Sequence, residues 1–303
     1  MKNVTLKQFR YFEALARLGH FGRAAEACSI SQPALSMQIK ALEEELGAAL
    51  FERDRRQIRL TSFGEEIALR ARDILRALDD LEGFARASRG GLVGRLRMGV
   101  IPTVAPYLLP GLIAELTRLH DGLDLHVRET VTPRLVQELN EGRLDAAIVA
   151  LPVSEPSLTE AALFTESFVL VRPRWDDGKP VPNRDALREM RLLLLEEGHC
   201  FRDQALFFCN KSAHAAPRDL LDASSLSTLV QMVEAGLGVT LIPEMAVAVE
   251  TRSASVSVAR FGNPEPSRTI GMVWRRTSPL ANQLTQISEL VRRSAGAVRP
   301  AAA

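Results

Sequence analysis

The sequence predicts a multidomain chain in which an all-α helix-turn-helix precedes an α/β region. Three observations predict this fold class. Residues 6–47 contain three short helical segments, residues 63–88 form one long apolar stripe without proline, and short strands alternate with helices from residue 96 onward. The length of 303 residues also exceeds what one hydrophobic core usually serves. We therefore expect two or three domains.

The first three helices are predicted from apolar spacing and from residues typical of helix ends. Apolar residues recur at three- and four-residue steps from Leu6 to Arg17, and Gly19 ends this helix. A second helix follows at residues 21–28. Ser31 supplies a capping hydroxyl for a third helix, which has a proline in its first turn and stops at Gly47. Three short helices with tight turns predict a helix-turn-helix core.

A wing and a long helix are predicted next. Residues 52–60 mix arginines with Ile58 and Leu60 in alternation, which indicates two short basic strands. Thr61 or Ser62 can cap the following helix, which we expect over 63–88. A helix of ~25 residues is ~37 Å long. Such a rod cannot bury its apolar stripe on a domain of this size, so we expect it to pair with a second copy of the chain.

The remainder of the chain alternates strands and helices, which favours a parallel α/β structure. After the short strand 96–101, further strands are predicted at 123–128, 145–150, 167–172, 192–195, 239–242 and 270–274. Helices are predicted at 106–119, 132–141 and 225–236.

Charge and composition limit the functional classes. The net charge is only +1, yet residues 1–60 hold ten basic against seven acidic residues, an excess of three positive charges. A phosphate-binding surface is therefore expected in that region. The N-terminus has no secretory apolar region and no apolar run approaches the ~20 residues of a membrane span, which predicts a cytoplasmic protein without a membrane partner. Three cysteines do not make a disulfide scaffold.

The start of the third helix carries residue types suited to reading DNA bases. In a helix-turn-helix these positions enter the major groove, where glutamine can bond adenine and small apolar groups can contact thymine methyls. The candidates for contact with double-stranded DNA are Ser31, Gln32, Pro33, Ala34, Ser36, Gln38 and Lys40, with the wing arginines Arg53, Arg55 and Arg56. The alternative is a small helical domain whose polar face is merely solvated.

A second candidate site surrounds two cysteines. Gly198 interrupts a strand, so Cys200 is expected at the start of a helix, and that position together with His199 and Arg202 favours the nucleophilic thiolate. Cys209 is nine residues later. On one helix the two Cα atoms would be ~13 Å apart, whereas a disulfide needs ~4.4–6.8 Å, so bond formation would require unwinding. The alternative is that Cys209 belongs to the core and Cys200 is incidental.

The N-terminal motifs resemble those of LysR-type transcription regulators. They comprise residues 24–25, residues 31–47 (SQPALSMQIKALEEELG), residues 50–53 (LFER) and residues 60–64 (LTSFG), within some sixty contiguous positions. The resemblance implies a winged helix-turn-helix at 1–62, a linker and dimerisation helix at 63–88, and a two-lobed, periplasmic-binding-protein-like regulatory domain at 93–296. Lobe I would comprise 93–163 and 268–296, and lobe II would comprise 164–267.

Three further segments are similar to the peroxide-responsive members of that family: 101–110, 198–209 and 268–271. This similarity implies Cys200 as the peroxidatic and Cys209 as the resolving cysteine, with a polar peroxide site formed by Thr103, Thr132, His199, Arg202 and Arg268. It also implies a bacterial regulator that binds promoter DNA as a homodimer or homotetramer, acts with RNA polymerase and takes hydrogen peroxide as its signal. No cofactor, metal site or enzymatic turnover is expected.

Two alternatives stay open at this point. One is a LysR-type regulator that binds a small organic effector between its lobes, with both cysteines incidental. The other is a thiol peroxidase that uses Cys200, although such an enzyme has no use for residues 1–62. The histidines show no metal-ligand spacing with cysteine or aspartate, and Gly236-Leu237-Gly238 lacks the third glycine of a nucleotide loop.

Overall fold

A computed structural model describes residues 4–53, 58–87, 94–209, 222–262 and 265–298. The chain forms two compact units, Met1–Phe84 and Ala85–Ala303.

The N-terminal unit is a winged helix-turn-helix, as predicted. Its elements are α1 (Leu6–Leu18), α2 (Phe21–Ala27), α3 (Gln32–Leu46), β1 (Phe51–Arg53), β2 (Ile58–Leu60) and the start of α4 (Ser62–Ala87). Strands β1 and β2 pair antiparallel and form the wing.

Local sequence signals set the ends of these helices. The Ser31 hydroxyl accepts a hydrogen bond from the Ala34 amide at the start of α3. Helices α1 and α3 end at Gly19 and Gly47, whose φ angles of 61° and 74° lie in the left-handed region that glycine tolerates. The Thr61 hydroxyl accepts from the Gly64 amide and so caps α4.

A small core and one close backbone contact hold the N-terminal unit together. The core is formed by Phe12, Ala14, Leu15, Ala24, Ala25, Leu35, Ile39, Leu42, Leu50, Phe51, Ala68 and Ala71. A Cβ atom at Gly64 would lie 2.1 Å from the carbonyl oxygen of Leu50. Only glycine therefore lets the first turn of α4 approach the segment that precedes the wing.

Helix α4 is 26 residues long and leaves part of its apolar stripe exposed. Leu69, Leu81 and Phe84 are 59–66% exposed in the single chain. The predicted pairing of this helix with a second copy remains a prediction.

The C-terminal unit alternates strands and helices around one seven-stranded sheet. Its strands are β3 (Gly94–Val100), β4 (Leu123–Glu129), β5 (Ala146–Leu151), β6 (Leu158–Pro173), β9 (Thr240–Pro243), β10 (Val256–Arg260) and β11 (Ser267–Arg275), and a separate parallel pair is formed by β7 (Leu194–Leu195) and β8 (Asp222–Ala223). Its helices are α5 (Ala105–Leu119), α6 (Thr132–Asn140), α7 (Arg184–Glu189), α8 (Cys200–Phe208), α9 (Leu226–Glu234), α10 (Val247–Glu250) and α11 (Ala281–Val298).

The expectation of a parallel sheet was wrong for four of the seven strands of this sheet. The order is β10-β6-β11-β5-β3-β4, with β9 also paired to β6. Strand β3 is parallel to β4 and β5, whereas β6, β9, β10 and β11 pair antiparallel. Buried strands of either direction have similar apolar runs, so the sequence pattern alone did not distinguish them.

Strand β6 also begins nine residues before the predicted start at residue 167. The exposed positions 160, 162 and 165 all lie in the first half of β6. Residues 168–173 are buried throughout and contain most of the apolar run from which the strand was predicted.

Two separate hydrophobic clusters fill the C-terminal unit. The first is built on β3, β5, α5 and α11, and the second on β7, β9, α8 and α9. Strand β6 contributes Leu158 and Leu163 to the first cluster and residues 168–171 to the second, so it runs from one to the other. None of the described helices is long and apolar enough to cross a membrane.

Candidate functional site

Cys200 is the first residue of α8, directly after a turn that glycine permits. Gly198 has a φ angle of 94°, and His199 is the residue that precedes the first helical turn. Cys200 is half-buried and packs against the first hydrophobic cluster, whereas Phe201, Ala205 and Leu206 of the same helix belong to the second. Helix α8 therefore lies between the two clusters.

A small cavity surrounds Cys200. It encloses about 170 Å³ of empty space, part of it open to solvent, and is lined by Ile101, Pro102, Thr103, Val131, Thr132, His199, Cys200 and Phe201. Residues 101–103 follow the carboxyl end of β3 and residues 131–132 follow that of β4, where ligand sites of α/β sheets commonly lie. Residues 199–201 come from the start of α8. Organic ligands usually occupy pockets of about 300–1,000 Å³. The space beside Cys200 is therefore too small for such a ligand.

Helix N-termini converge on the cavity. Helix α6 begins at Thr132 and α8 begins at Cys200, both of which line it, and α5 begins two residues after Thr103. The amide groups at a helix start carry a partial positive charge that favours a nearby anion. Cys200 therefore lies at one helix start and lines the same cavity as the first residue of α6.

The two threonines of the cavity differ in their hydrogen bonding. The Thr103 hydroxyl oxygen accepts a hydrogen bond of 2.8 Å from Nη1 of Arg268, and Nη2 donates to the Thr103 carbonyl oxygen over 3.1 Å. The buried Oγ1 atom of Thr132 has no hydrogen-bond partner among the residues that the structure describes. Thr132 therefore offers an unused polar group next to Cys200.

His199 is a neutral neighbour of Cys200 at pH 7. Burial lowers the pKa of His199 below its ordinary value of 6.5, and the negative charge of Glu196 opposes this shift only in part. The imidazole therefore lines the cavity as a neutral group that can accept a proton. From the sequence, His199 was expected to favour the thiolate form of Cys200. A neutral ring supplies no positive charge for that effect.

The two arginines predicted for this site lie outside the lining of the cavity. Arg268 is fully buried behind Thr103, with its guanidinium 5.2 Å from the centre of the Phe201 ring. Arg202 donates from Nη1 to the Leu195 carbonyl oxygen over 2.7 Å and to Asp222 over 2.8 Å. Arg202 thus joins α8 to strands β7 and β8.

Cys209 lies at the far end of α8, in the second cluster. It is fully buried, and its amide donates to the Ala205 carbonyl oxygen over 3.0 Å. Cys200 and Cys209 are both thiols in this structure. The structure therefore brings Cys200, His199, Thr103 and Thr132 together and keeps Cys209 separate.

Sequence reasoning missed Glu166, which holds Arg268. The carboxylate oxygen Oε1 of Glu166 accepts from Nε of Arg268 over 2.8 Å and lies 2.7 Å from Nη2. The two residues are direct partners across β6 and β11. No local motif marks Glu166, because its role depends on the register of two strands that are distant in sequence.

The exposed face of α3 carries most of the predicted DNA contacts. The exposed residues among them are Ser31, Gln32, Pro33, Gln38 and Lys40, and the half-buried ones are Ala34 and Ser36. The Ser31 hydroxyl caps the helix. Met37, which the sequence analysis did not select, is 66% exposed between Ser36 and Gln38. Arg53 ends β1, whereas Arg55 and Arg56 lie outside the described residues.

Within the described ranges, no three His, Cys, Asp or Glu side chains are grouped so that they could hold a metal ion.

Two family models match this chain. Residues 6–65 match the bacterial regulatory helix-turn-helix protein model of the lysR family, and residues 89–296 match the LysR substrate binding domain. A probable hydrogen peroxide-inducible genes activator from Streptomyces viridosporus is 43% identical over 294 residues, which cover 96% of this chain and 94% of the relative.

Solved structures of proteins named OxyR are also similar. Full-length OxyR from Pseudomonas aeruginosa, a cysteine-to-aspartate mutant, has a TM-score of 0.73 at 37% identity and covers 96% of this chain and 95% of its own. A cysteine-to-serine mutant of Corynebacterium glutamicum OxyR, described as H2O2-bound, has a TM-score of 0.67 at 34% identity, with 98% and 94% covered. With both domain models matched in order over most of its length, this chain belongs to the LysR family of bacterial regulatory helix-turn-helix proteins.

Proposed function

We propose that this chain is a peroxide-sensing transcription regulator in which Cys200 is the peroxidatic and Cys209 the resolving cysteine. The observation that carries the proposal is the position of Cys200 at a helix start, in a cavity too small for usual organic ligands and beside two threonine hydroxyls. The similarity to proteins named hydrogen peroxide-inducible genes activators supports the same signal. The cavity size argues against an organic effector at this position.

The proposed chemistry has two steps. The Cys200 thiolate attacks one oxygen of hydrogen peroxide, the O–O bond breaks, and the departing hydroxide takes up a proton to become water, which leaves a sulfenic acid on Cys200. The Cys209 thiol then attacks the sulfenic sulfur, a disulfide forms and a second water leaves. Two thiols and one peroxide thus give one disulfide and two waters. Hydroxyl donors such as Thr103 and Thr132 stabilise the negative charge that develops on the departing oxygen.

The second step requires a conformational change, and this change is the proposed switch. Cys200 and Cys209 stand at opposite ends of α8 and pack in different hydrophobic clusters. A disulfide needs Cα atoms at ~4.4–6.8 Å, whereas nine residues of helix span ~13 Å. Disulfide formation therefore unwinds α8 and withdraws Cys209 from its cluster, and this rearrangement alters the regulatory domain that controls DNA binding.

The proposed organisation assigns each part of the chain a role. Residues 1–62 bind promoter DNA through the exposed face of α3 and the arginines of the wing, and residues 63–88 form the dimerisation helix. Residues 93–296 form the regulatory domain, with lobe I at 93–163 and 268–296 and lobe II at 164–267. The two hydrophobic clusters support this division into lobes. The protein acts in the bacterial cytoplasm as a homodimer or homotetramer with RNA polymerase, and without enzymatic turnover.

The test joins chemistry and DNA binding on the same samples. The reduced full chain is treated with one equivalent of hydrogen peroxide, and mass spectrometry of the 200–209 region is compared with a DNA footprint. We expect a Cys200–Cys209 disulfide and a changed footprint. Cys200→Ser should abolish both, whereas Cys28→Ser is the matched control, because burial raises the pKa of the Cys28 thiol and makes it a poor nucleophile. A Cys200→Ser variant that still switches with peroxide would overturn the proposal.

A further inference from the structure

We infer that Glu166 is a positioning residue for the peroxide reaction, acting through Arg268 on the hydroxyl group of Thr103. This inference rests on the proposed function of Cys200 and adds to it a residue outside the cavity. Glu166 lies on β6, Arg268 on β11 and Thr103 between β3 and α5, so three separate parts of the regulatory domain meet in this contact.

The first step is the contact between Glu166 and Arg268. The two residues are direct partners in the antiparallel register of β6 and β11. The side chain of Arg268 is 0% exposed and that of Glu166 is 7% exposed, and the carboxylate oxygen Oε1 receives both Nε and Nη2 of the guanidinium. A buried guanidinium without its carboxylate would carry an uncompensated charge. Glu166 therefore keeps Arg268 in place.

The second step is the contact between Arg268 and Thr103. Nη1 donates to the hydroxyl oxygen and Nη2 to the carbonyl oxygen of Thr103, so the guanidinium holds both the side chain and the backbone of this residue. The Phe201 ring lies against the guanidinium, 5.2 Å from its central carbon, and limits its movement. The planar fork of arginine suits this fixed, multi-point arrangement.

The third step concerns the proton of the Thr103 hydroxyl group. A threonine hydroxyl has one proton and two acceptor lone pairs, whereas arginine has donors only. Because Arg268 donates to Oγ1, the hydroxyl proton of Thr103 is left for an acceptor other than the guanidinium. Thr103 lines the cavity with Cys200, where an oxygen of peroxide is such an acceptor. Glu166 thus determines, through Arg268, that Thr103 serves as a hydrogen-bond donor to peroxide.

The experiment compares two reactions of Cys200 in the reduced full chain. Oxidation by hydrogen peroxide depends on the threonine donor, whereas alkylation by iodoacetamide depends on the thiolate and its access. We expect Glu166→Gln to slow oxidation about tenfold while alkylation stays within about twofold. Glu160→Gln is the matched control, because Glu160 is an exposed glutamate of the same strand whose carboxylate accepts from the Val153 and Ser154 amides and lies outside the contact with Arg268. An unchanged or raised ratio of oxidation to alkylation in Glu166→Gln overturns the inference.

A double-mutant cycle tests the route through Thr103. In a Thr103→Val background the hydroxyl is absent, so Glu166→Gln should no longer change the ratio of the two rates. An equal loss in both backgrounds would mean that Glu166 acts through general packing and would overturn the inference. If Glu166→Gln does not fold, Glu166→Asp takes its place, because aspartate keeps the charge but retracts the carboxylate. A ratio of oxidation rate to alkylation rate equal to that of the original chain would then refute the positioning role. A chain whose Cys200 does not react with peroxide at all would refute the proposed function instead.

Discussion

Replacing each cavity threonine by valine should change stability in opposite directions. Both Thr103 and Thr132 line the cavity beside Cys200, and valine keeps nearly the same shape while removing the hydroxyl. The Oγ1 atom of Thr132 is buried without a partner among the described residues, whereas Oγ1 of Thr103 accepts a hydrogen bond from the charged Arg268. The two substitutions are therefore chemically identical and differ only in what surrounds the hydroxyl group.

The magnitudes follow from the hydrogen bonds. A buried polar group without a partner costs about 1–3 kcal/mol, so Thr132→Val should raise the free energy of unfolding by about 1 kcal/mol. A hydrogen bond to a charged group contributes about 1.5–3 kcal/mol, so Thr103→Val should lower the free energy of unfolding by about 2 kcal/mol. For a domain of this size, each kcal/mol shifts the melting temperature by about 2–4 °C. Both variants should nevertheless slow the oxidation of Cys200, because each removes a group that can bond peroxide.

Tryptophan fluorescence provides a suitable assay. The two tryptophans, Trp175 and Trp274, both lie in the C-terminal unit, so their emission reports the unfolding of that unit. Thermal unfolding of the reduced chain is followed for both variants and compared with the rate of Cys200 oxidation by peroxide. A Thr132→Val variant that melts below the original chain would refute the reasoning. So would a shift of the same sign in both variants.

The ring protons of His199 should titrate in NMR with a midpoint below pH 6.5, because burial lowers the pKa of this histidine. The His199→Gln variant serves to assign the signal. A midpoint above pH 6.5 would contradict the prediction. This histidine should add stability above pH 6.5 and lose that contribution as pH falls through its folded pKa, since the unfolded chain binds the proton first. Gly64→Ala should destabilise the N-terminal unit by about 1–3 kcal/mol, because the new Cβ atom would lie 2.1 Å from the Leu50 carbonyl oxygen. Circular dichroism measures this loss, and an unchanged unfolding curve would rule out the clash. Tyr107→Phe should lower the free energy of unfolding by about 1.5–3 kcal/mol in denaturant unfolding, because the Tyr107 hydroxyl donates to the Glu250 carboxylate over 2.6 Å. Burial and Glu250 both raise the pKa of this tyrosine, which keeps the hydroxyl protonated. An equal denaturation midpoint for both proteins would argue against this contribution.

The sequence by itself determined the local structure at both candidate sites. Capping hydroxyls and C-terminal glycines set the ends of α1 and α3, because these groups act on backbone atoms within a few residues of themselves. The same short-range chemistry placed Cys200 at the start of α8, two residues after Gly198. Apolar periodicity identified most of the strands and helices, since burial on one face repeats at the period of the element.

Only the tertiary structure decided how distant residues meet. The register of β6 against β11 places Glu166 opposite Arg268, and no pattern within either strand specifies that register. The packing of α8 between two clusters puts Cys200 in a small cavity beside two threonines and Cys209 in an apolar core. The sequence therefore identified the cysteine pair of the proposed function and the spacing that separates the two residues. The position of the threonines, the partner of Arg268 and the antiparallel strands of the sheet depend on contacts between segments far apart in the chain. Local propensity does not encode such contacts.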